Sequence, residues 1–137
     1  MDFQERLGDV IDNVIQENEL DIPLFNDLNN EEESISLYSL PGGKVFRAYY
    51  DGIKEKRLNF EIQGKSKDRE RILSIVAKLS KVLEELTDVE SSDGSFEFSS
   101  LTISSEPYYQ ASDTSGYFYF RLTFQVDLTI YPKKGIE

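Results

Sequence analysis

The final segment of the chain, from about Tyr117 to Tyr131, alternates strictly between apolar and polar residues. Its apolar positions are Phe118, Phe120, Leu122, Phe124, Val126, Leu128 and Ile130. A period of two predicts a β-strand with one buried face and one polar face. At roughly 3.3 Å per residue such a strand spans about 45 Å, more than a small domain needs. We therefore expect it to bend at a bulge or to extend past its own core toward another subunit.

Two segments instead show the three- and four-residue apolar spacing of amphipathic helices. The first covers residues 1–18, read from about Asp2 to Asn18, and its polar side is mainly acidic. Its apolar stripe is Phe3, Leu7, Val10, Ile11, Val14 and Ile15. The second covers residues 67–87, and Ser66 is its predicted N-cap. Its apolar stripe is Ile72, Ile75, Val76, Leu79, Val82, Leu83 and Leu86.

Together with the final segment, the other apolar runs predict five strands. Residues 34–64 are expected to form three of them, at about Ser34–Leu40, Lys44–Tyr50 and Lys56–Gly64. Pro41-Gly42-Gly43 and Asp51-Gly52 are the predicted turns between them, because Pro fixes φ and Gly permits positive φ. Residues 96–131 are expected to form two more strands, separated by a long exposed loop from Ser105 to Gly116.

The order of these elements predicts an α+β fold. We expect an antiparallel β-sheet of about five strands, with an N-terminal helix and one long central helix packed on it. The 137 residues are enough for one domain with its own core and too few for two, so residues 1–137 are read as a single domain.

Charge narrows the range of partners. The chain has 26 acidic and 15 basic residues, which gives a net charge of −11. Such a chain repels phosphate backbones and anionic membrane surfaces, so we expect neither sequence-specific nucleic-acid binding nor membrane binding. No apolar run approaches a membrane span, and the sequence after Met1 does not resemble a signal peptide, so the product is expected to be intracellular when made.

The residue types needed for common catalytic sites are sparse. The chain has no Cys and no His, which excludes thiolate nucleophiles, Cys-based zinc sites and histidine bases. Paired acids do occur, at Glu84-Glu85 and at Asp88 with Glu90, but they lie at a predicted helix end and in the following loop. We read them as solvated acids, and we expect no catalytic residue, no metal site and no cofactor. The protein is therefore not expected to be an enzyme.

Tyrosines give the best candidate for an interaction surface. Pro107-Tyr108-Tyr109 lies in the predicted exposed loop, and exposed tyrosines supply contact area together with a polar tip. Tyr119 and Arg121 lie on the polar face of the final strand. Together, Tyr108, Tyr109, Tyr119 and Arg121 form the predicted assembly interface.

An ordered set of short segments runs through most of the chain, from about Phe3 to Tyr131. The segments are 34–43 (SISLYSLPGG), Tyr50-Asp51-Gly52, 58–62 (LNFEI), 65–68 (KSKD), Ser105-Glu106-Pro107 and 124–131 (FQVDLTIY). In this order and spacing they resemble the small minor capsid or tail-terminator proteins of long-tailed bacteriophages and their prophages. No single segment is specific; the set as a whole carries the resemblance.

The resemblance implies an α+β subunit that assembles with itself into a ring, typically a hexamer. Such a ring caps the tail tube, stops its polymerisation and presents a surface to the head. The implied partners are other copies of the chain, the major tail tube protein and the head–tail connector protein. The implied location is the head-proximal end of the virion tail, after synthesis in the bacterial cytoplasm. The family has no catalytic residues, and Gly42, Gly43 and Gly52 correspond to turns.

Two alternatives remain open at the level of sequence. A different head–tail joining or minor capsid component would share the same features. A small acidic binding module that acts on a host protein would also fit a compact, strongly negative chain.

Overall fold

The computed structural model describes residues 3–25, 33–91 and 93–132 of the chain. In chain order the elements are α1 (Phe3–Glu17), β1 (Leu24–Phe25), β2 (Ser34–Ala48), β3 (Lys54–Ser66), α2 (Arg69–Glu84), β4 (Phe96–Ser112) and β5 (Phe118–Ile130). The strands form one five-stranded sheet in the order β1-β2-β3-β5-β4. All neighbouring pairs are antiparallel except the two-residue pairing of β1 with β2. The α+β fold predicted from the sequence is confirmed.

Both helices pack on the same face of the sheet. The Phe3 ring of α1 lies 5.6 Å from the ring of Phe60 in β3, measured between centroids. Side chains of α2 lie over Gly64, four residues further along the same strand. Since side chains alternate across a strand, Phe60 and Gly64 face the same side. We call this side the helix-covered face and the opposite side the polar face.

The first helix matches its prediction closely. Its most buried side chains recur every fourth residue, at Phe3, Leu7, Ile11 and Ile15, as expected for one face of a helix. The predicted start at Asp2 lies outside the described residues. The helix ends in a Schellman motif, in which the Leu20 N–H donates to the Ile15 carbonyl at 3.0 Å and the Glu19 N–H donates to that of Gln16 at 3.2 Å.

The second helix is shorter than predicted, 16 residues rather than the whole of 67–87, and about as long as α1. Its N-cap is Asp68, whose carboxylate accepts a hydrogen bond from the Arg71 N–H at 3.1 Å. The prediction that Ser66 caps this helix was therefore wrong. Ser66 is the last residue of β3, and its hydroxyl accepts from the Asp68 N–H at 3.0 Å and donates to Glu33 at 2.5 Å.

The final strand is confirmed as predicted, and it is a central strand of the sheet. β5 pairs with β3 over thirteen consecutive residues without a register shift, from Lys54 opposite Ile130 to Ser66 opposite Phe118. On its other side it pairs with β4 along the same length. The expectation that β5 itself bends at a bulge or runs past its own core was wrong, because both neighbours match its length.

The predicted division of residues 34–64 into three strands was wrong. Pro41-Gly42-Gly43 does not form a turn; it lies inside β2, which continues to Ala48. Leu40 pairs with Asn59 and Lys44 with Arg57, so β2 advances four residues while β3 advances two. The extra residues form a bulge. Pro and Gly are tolerated there because β1 pairs only with Ile35 and Ser36, which leaves the rest of β2 at the edge of the sheet. The turn at Asp51-Gly52 is present, and the fifth strand of the sheet is the short β1.

The predicted loop from Ser105 to Gly116 was also wrong, because β4 continues to Ser112. Pro107 lies between the paired residues Ser105 and Tyr108, at one of four register shifts along β4. An edge strand tolerates Pro at such a position, because the missing N–H is not required by the ladder. Only the short turn from Asp113 to Gly116 connects β4 to β5, closed by the Gly116 N–H donating to the Asp113 carbonyl at 3.2 Å.

Candidate functional site

The structure brings the four predicted interface residues together, but on two faces of the sheet. In the β4–β5 ladder Tyr108 lies opposite Arg121, Tyr109 opposite Phe120, and Ala111 opposite Tyr119. Directly opposed residues point to the same side of a sheet. Tyr108, Tyr119 and Arg121 therefore share the polar face, whereas Tyr109 lies on the helix-covered face beyond the start of α2.

Tyr109 is both anchored and exposed. Its ring meets the Phe120 ring edge-on at a centroid distance of 5.7 Å. The Arg69 guanidinium lies 5.9 Å from the Tyr109 ring centroid, and the Tyr109 hydroxyl donates to the Ser112 hydroxyl at 3.0 Å. The residue is nevertheless 46% exposed, and Tyr108 is 41% exposed. A ring that is fixed yet exposed loses little conformational entropy on binding, which suits it to an interface.

Arg121 belongs to a partly buried polar cluster on the polar face. Its guanidinium lies 3.5 Å from the carboxylate of Glu61, whose side chain is 4% exposed. Tyr38 donates a hydrogen bond to the same carboxylate. Burial raises the pKa of Glu61, and the positive charge of Arg121 opposes this rise only in part. Among the described residues, Arg121 Nε is buried without a hydrogen-bond partner. Arg121 thus serves the internal packing of this face.

Tyr119 stabilises the turn between β4 and β5. Its hydroxyl donates to the Asp113 carboxylate at 2.8 Å, and the N–H groups of Ser115 and Tyr117 donate to the same carboxylate at 3.0 Å. These hydrogen bonds lower the pKa of Asp113, and the bond from the Tyr117 N–H has the largest effect. The pKa of Tyr119 is raised, mainly by partial burial and to a smaller extent by the nearby Asp113 carboxylate. Of the four predicted residues, Tyr108 and Tyr109 thus supply the exposed aromatic area.

Sequence reasoning missed a second exposed apolar group, on the β2–β3 hairpin. Val45, Phe46 and Tyr49 are 44–46% exposed, and Tyr50 is fully exposed. Tyr50 lies at the apex of the turn, where the Gly52 N–H donates to the Tyr49 carbonyl at 3.1 Å. Gly52 has φ +88°, a conformation that favours glycine. The sequence did contain a signal for this group. The adjacent apolar residues Val45 and Phe46 lie between basic residues, shortly after Pro41-Gly42-Gly43, a combination typical of an exposed edge strand.

The two exposed groups occupy diagonally opposite corners of the sheet. β2 and β4 lie toward opposite edges. The β2–β3 turn lies at the end of the sheet where Lys54 pairs with Ile130, and the β4–β5 turn lies at the end where Ser66 pairs with Phe118. Within the described residues, every exposed large hydrophobic side chain lies at one corner or the other.

The β2–β3 hairpin also differs from the rest of the chain in charge. Between Lys44 and Arg57 it has five basic and two acidic side chains, whereas the whole chain has net charge −11. The basic residues are Lys44, Arg47, Lys54, Lys56 and Arg57. Arg57 forms a two-pronged ion pair with Asp127 at 2.8 and 3.1 Å, and Arg47 lies 3.4 Å from Glu55. This hairpin is a basic, aromatic element on an acidic protein.

An open groove of about 620 Å³ lies beside the C-terminal end of α1. Its lining combines acidic and apolar residues, namely Asp12, Ile15, Gln16, Glu19, Asp21, Ile22 and Pro23. Glu19 and Asp21 have φ values of +52° and +49°, which place them in the left-handed region. Arg71 of α2 fixes this segment by donating to the carbonyls of Leu20 and Asp21 at 2.8 and 2.9 Å.

Three further findings bear on chemistry and relationship. In the part of the chain that the structure describes, no three His, Cys, Asp or Glu residues form a group able to hold a metal ion. Among the described helices, none is long and apolar enough to cross a membrane. No protein-family model matches the chain, and no curated protein matches it significantly. Membership of the tail-terminator family therefore stays a prediction based on the ordered segments of the sequence.

Proposed function

We propose that this chain is a structural protein of a bacteriophage virion, namely a tail terminator. Copies of it form a ring, a hexamer by the resemblance, at the head-proximal end of the tail. The ring caps the tube built by the major tail tube protein and joins it to the head–tail connector protein. We expect it to act without catalytic residues and without a cofactor.

The observation that carries this proposal is the placement of exposed apolar side chains at two diagonally opposite corners. One corner holds Val45, Phe46, Tyr49 and Tyr50, and the other holds Tyr108 and Tyr109. Exposed aromatic groups of this kind mark protein–protein contact sites. A terminator subunit needs at least two such sites, one for its neighbour in the ring and one for the tube or the connector.

The form of the edge strands argues against assembly by strand pairing. β4 carries four register shifts and Pro107, and β2 carries two register shifts and Pro41. Bulges and prolines disrupt the row of backbone groups that another chain would need for continuous pairing. Contacts between copies are therefore expected to use side chains rather than paired backbones, with a corner on at least one side of each contact. A head-to-tail contact between two different surfaces produces a ring when the rotation closes.

The experiment that tests the proposal removes the gene from the phage or prophage that carries it. Negative-stain electron microscopy of the induced lysate then gives tail lengths and the fraction of heads with tails. The proposal expects tails of irregular and excessive length beside unattached heads. A plasmid copy of the parental gene should restore tails of one length.

Two other results would replace the proposal. Tails of normal length that fail to join heads would assign the chain to the connector side of the joint. Normal, infectious virions would exclude a part in assembly. In that case the acidic binding module that acts on a host protein becomes the better reading, to be tested by capture of its partner on the purified chain.

A further inference from the structure

The β2–β3 hairpin has the composition of a docking element. It projects two tyrosines, with Tyr50 fully exposed at the tip, and it carries five of the fifteen basic residues of the chain. Tyrosine and arginine are enriched at the centres of protein interfaces, and lysines around them attract an acidic partner. We propose that this hairpin docks into the acidic groove at the end of α1 of a second copy of this chain.

The groove is complementary to the hairpin in charge and polarity. Its apolar part consists of Ile15, Ile22 and Pro23, and its acidic part of Asp12, Glu19 and Asp21. Ile15 and Ile22 are mostly buried, so in the proposed contact the ring of Tyr50 packs against the exposed Pro23, while the carboxylates lie near Lys44 and Lys54 of the hairpin. Oppositely charged surfaces raise the association rate and fix the orientation of the two molecules.

The acceptor is also held in one conformation. The Schellman bonds at Glu19 and Leu20 fix the end of α1, and Arg71 holds the carbonyls of Leu20 and Asp21. Pro23 is fixed in turn, because its carbonyl accepts from the Ile35 N–H at 2.9 Å. A preformed groove loses less conformational entropy on binding than a flexible loop does.

A hairpin cannot reach the groove of its own molecule. The groove adjoins Ile35 at the start of β2, whereas the hairpin turn follows Ala48 at the other end of that strand. At roughly 3.3 Å per residue, the two lie about 40 Å apart along one strand. The contact must therefore join two copies through different surfaces, which is the head-to-tail geometry of a ring or a filament.

A basic hairpin with tyrosines could also attract a nucleic acid, but the rest of the molecule argues for a second copy. The net charge of −11 repels a phosphate backbone, and the complementary acidic surface is present on the chain itself. The inference rests on the proposed function only in that it requires copies of the chain to assemble.

The test measures self-association of the purified chain by sedimentation velocity, up to about 1 mM protein and at about 50 mM and 500 mM salt. The hairpin variant is Lys44→Glu with Lys54→Glu, and the groove variant is Asp12→Lys with Glu19→Lys. The matched control for the hairpin variant is Lys78→Glu with Lys81→Glu, which makes the same charge change at exposed positions of α2. Thermal melting checks that every variant is folded.

The inference expects the parental chain and the control to associate, more weakly at high salt. Each of the other two variants should associate about tenfold more weakly or worse, as expected for the loss of close charge pairs. An equimolar mixture of the two should recover association, because the parental hairpin of one variant meets the parental groove of the other, and the reversed hairpin meets the reversed groove. A chain that carries all four substitutions should recover association.

Three results would overturn the inference. The parental chain could remain monomeric throughout the concentration range. The hairpin variant could associate as well as its parent. Alternatively, the parental chain could bind single-stranded DNA through the hairpin without associating with itself. Each of these leaves the proposed function to the tail-length measurement, which is independent, so the two failures are distinguishable.

Discussion

Gly64 of β3 lies directly beneath Val76 of α2. A β-carbon placed on Gly64 would stand 2.6 Å from Val76 Cγ2, and 2.8 Å from Ile72 Cγ1. These distances are shorter than any stable contact between carbon atoms, so the absence of a side chain at Gly64 lets α2 lie close to the sheet.

We expect Gly64→Ala to lower the free energy of unfolding by about 1–3 kcal/mol, because the added methyl group overpacks this contact. Urea denaturation measures the loss. Removing part of the opposing side chain provides the control: in the Gly64→Ala background, Val76→Ala should cost less than it costs in the parental chain. Equal costs in the two backgrounds would show that the helix and the strand do not meet at this point.

Phe124 marks which face of β5 is inside. It is fully buried, and its ring stacks on that of Phe60 at a centroid distance of 5.7 Å. We expect Phe124→Asp to abolish cooperative folding, since it buries an unpaired carboxylate. Circular dichroism on heating measures the transition. Gln125→Asp, one position along on the polar face, should still melt cooperatively, and the opposite ranking would invert the assignment of the two faces.

Glu19 occupies a position where helices usually end in glycine. It has φ +52° at the C′ position of the Schellman motif. A non-glycine residue in this conformation costs about 1–2 kcal/mol, so we expect Glu19→Gly to raise the stability by about 1 kcal/mol. Differential scanning calorimetry should show a higher melting temperature. Glu17→Gly, within the last turn of α1, should lower it. The same Glu19→Gly variant should associate more weakly if the groove docks the hairpin.

Acid sensitivity should depend on Glu33. In the folded chain the pKa of Glu33 lies below the ordinary value of 4.5, mainly because its carboxylate accepts hydrogen bonds from Arg71. The stabilisation from this ion pair is therefore complete above the pKa of the unfolded chain and is lost as the pH falls below it. We expect the stability difference between the parental chain and Glu33→Gln to shrink from pH 6 to about pH 3. A constant difference would contradict the ion pair.

Glu61 should show the opposite dependence on pH. Burial raises the pKa of Glu61 in the folded chain above 4.5, so the ionised carboxylate lowers the stability of the fold at neutral pH. This cost disappears as the pH falls toward the pKa that Glu61 has in the unfolded chain. Relative to Glu61→Gln, the parental chain should therefore gain stability on acidification. Urea titrations of both variants at a series of pH values measure the two slopes, and slopes of the same sign would refute one of the assignments.

The pair Tyr108 and Tyr109 tests the second corner of the sheet. Replacing both with Ala should leave the fold intact, because each is more than 40% exposed, but should weaken assembly. The measurement is the ability of the variant gene to restore tails of one length to the deletion lysate, beside a melting curve of the purified chain. Ala in place of Tyr117, which is only partly exposed, is the control at the same turn. Full restoration by the double variant would remove this corner from the interface.

The strongest patterns in the sequence predicted the core correctly. The alternation in β5 and the four-residue spacing in α1 reflect a single buried face, and burial is what a hydrophobic pattern records. The edge strands were predicted poorly, because Pro41 and Pro107 are ordinary turn signals. Here both prolines lie at bulges, which depend on the register with a neighbouring strand and cannot be seen in the local sequence.

The candidate surface was predicted only in part. Tyr108 and Tyr109 were found because adjacent tyrosines beside a proline stand out in any conformation. Tyr119 and Arg121 proved to be engaged with Asp113 and Glu61, partners that only the strand register defines. The hairpin from Lys44 to Arg57 was predicted as two strands and a turn, but its exposed surface was missed, because this exposure follows from its place at an edge of the sheet, which a single sequence does not specify.

The unbroken pairing of β3 with β5 has a consequence for how the chain folds. These central strands are separated in sequence by all of α2 and β4, so the pairing that joins the two halves of the sheet is long-range. Topologies dominated by such contacts fold slowly, because a large loop must close before they form. During synthesis, the β2–β3 hairpin and α2 leave the ribosome well before β5 does. The core therefore closes late, and nascent chains that end before Ile130 present an open apolar face to chaperones and proteases.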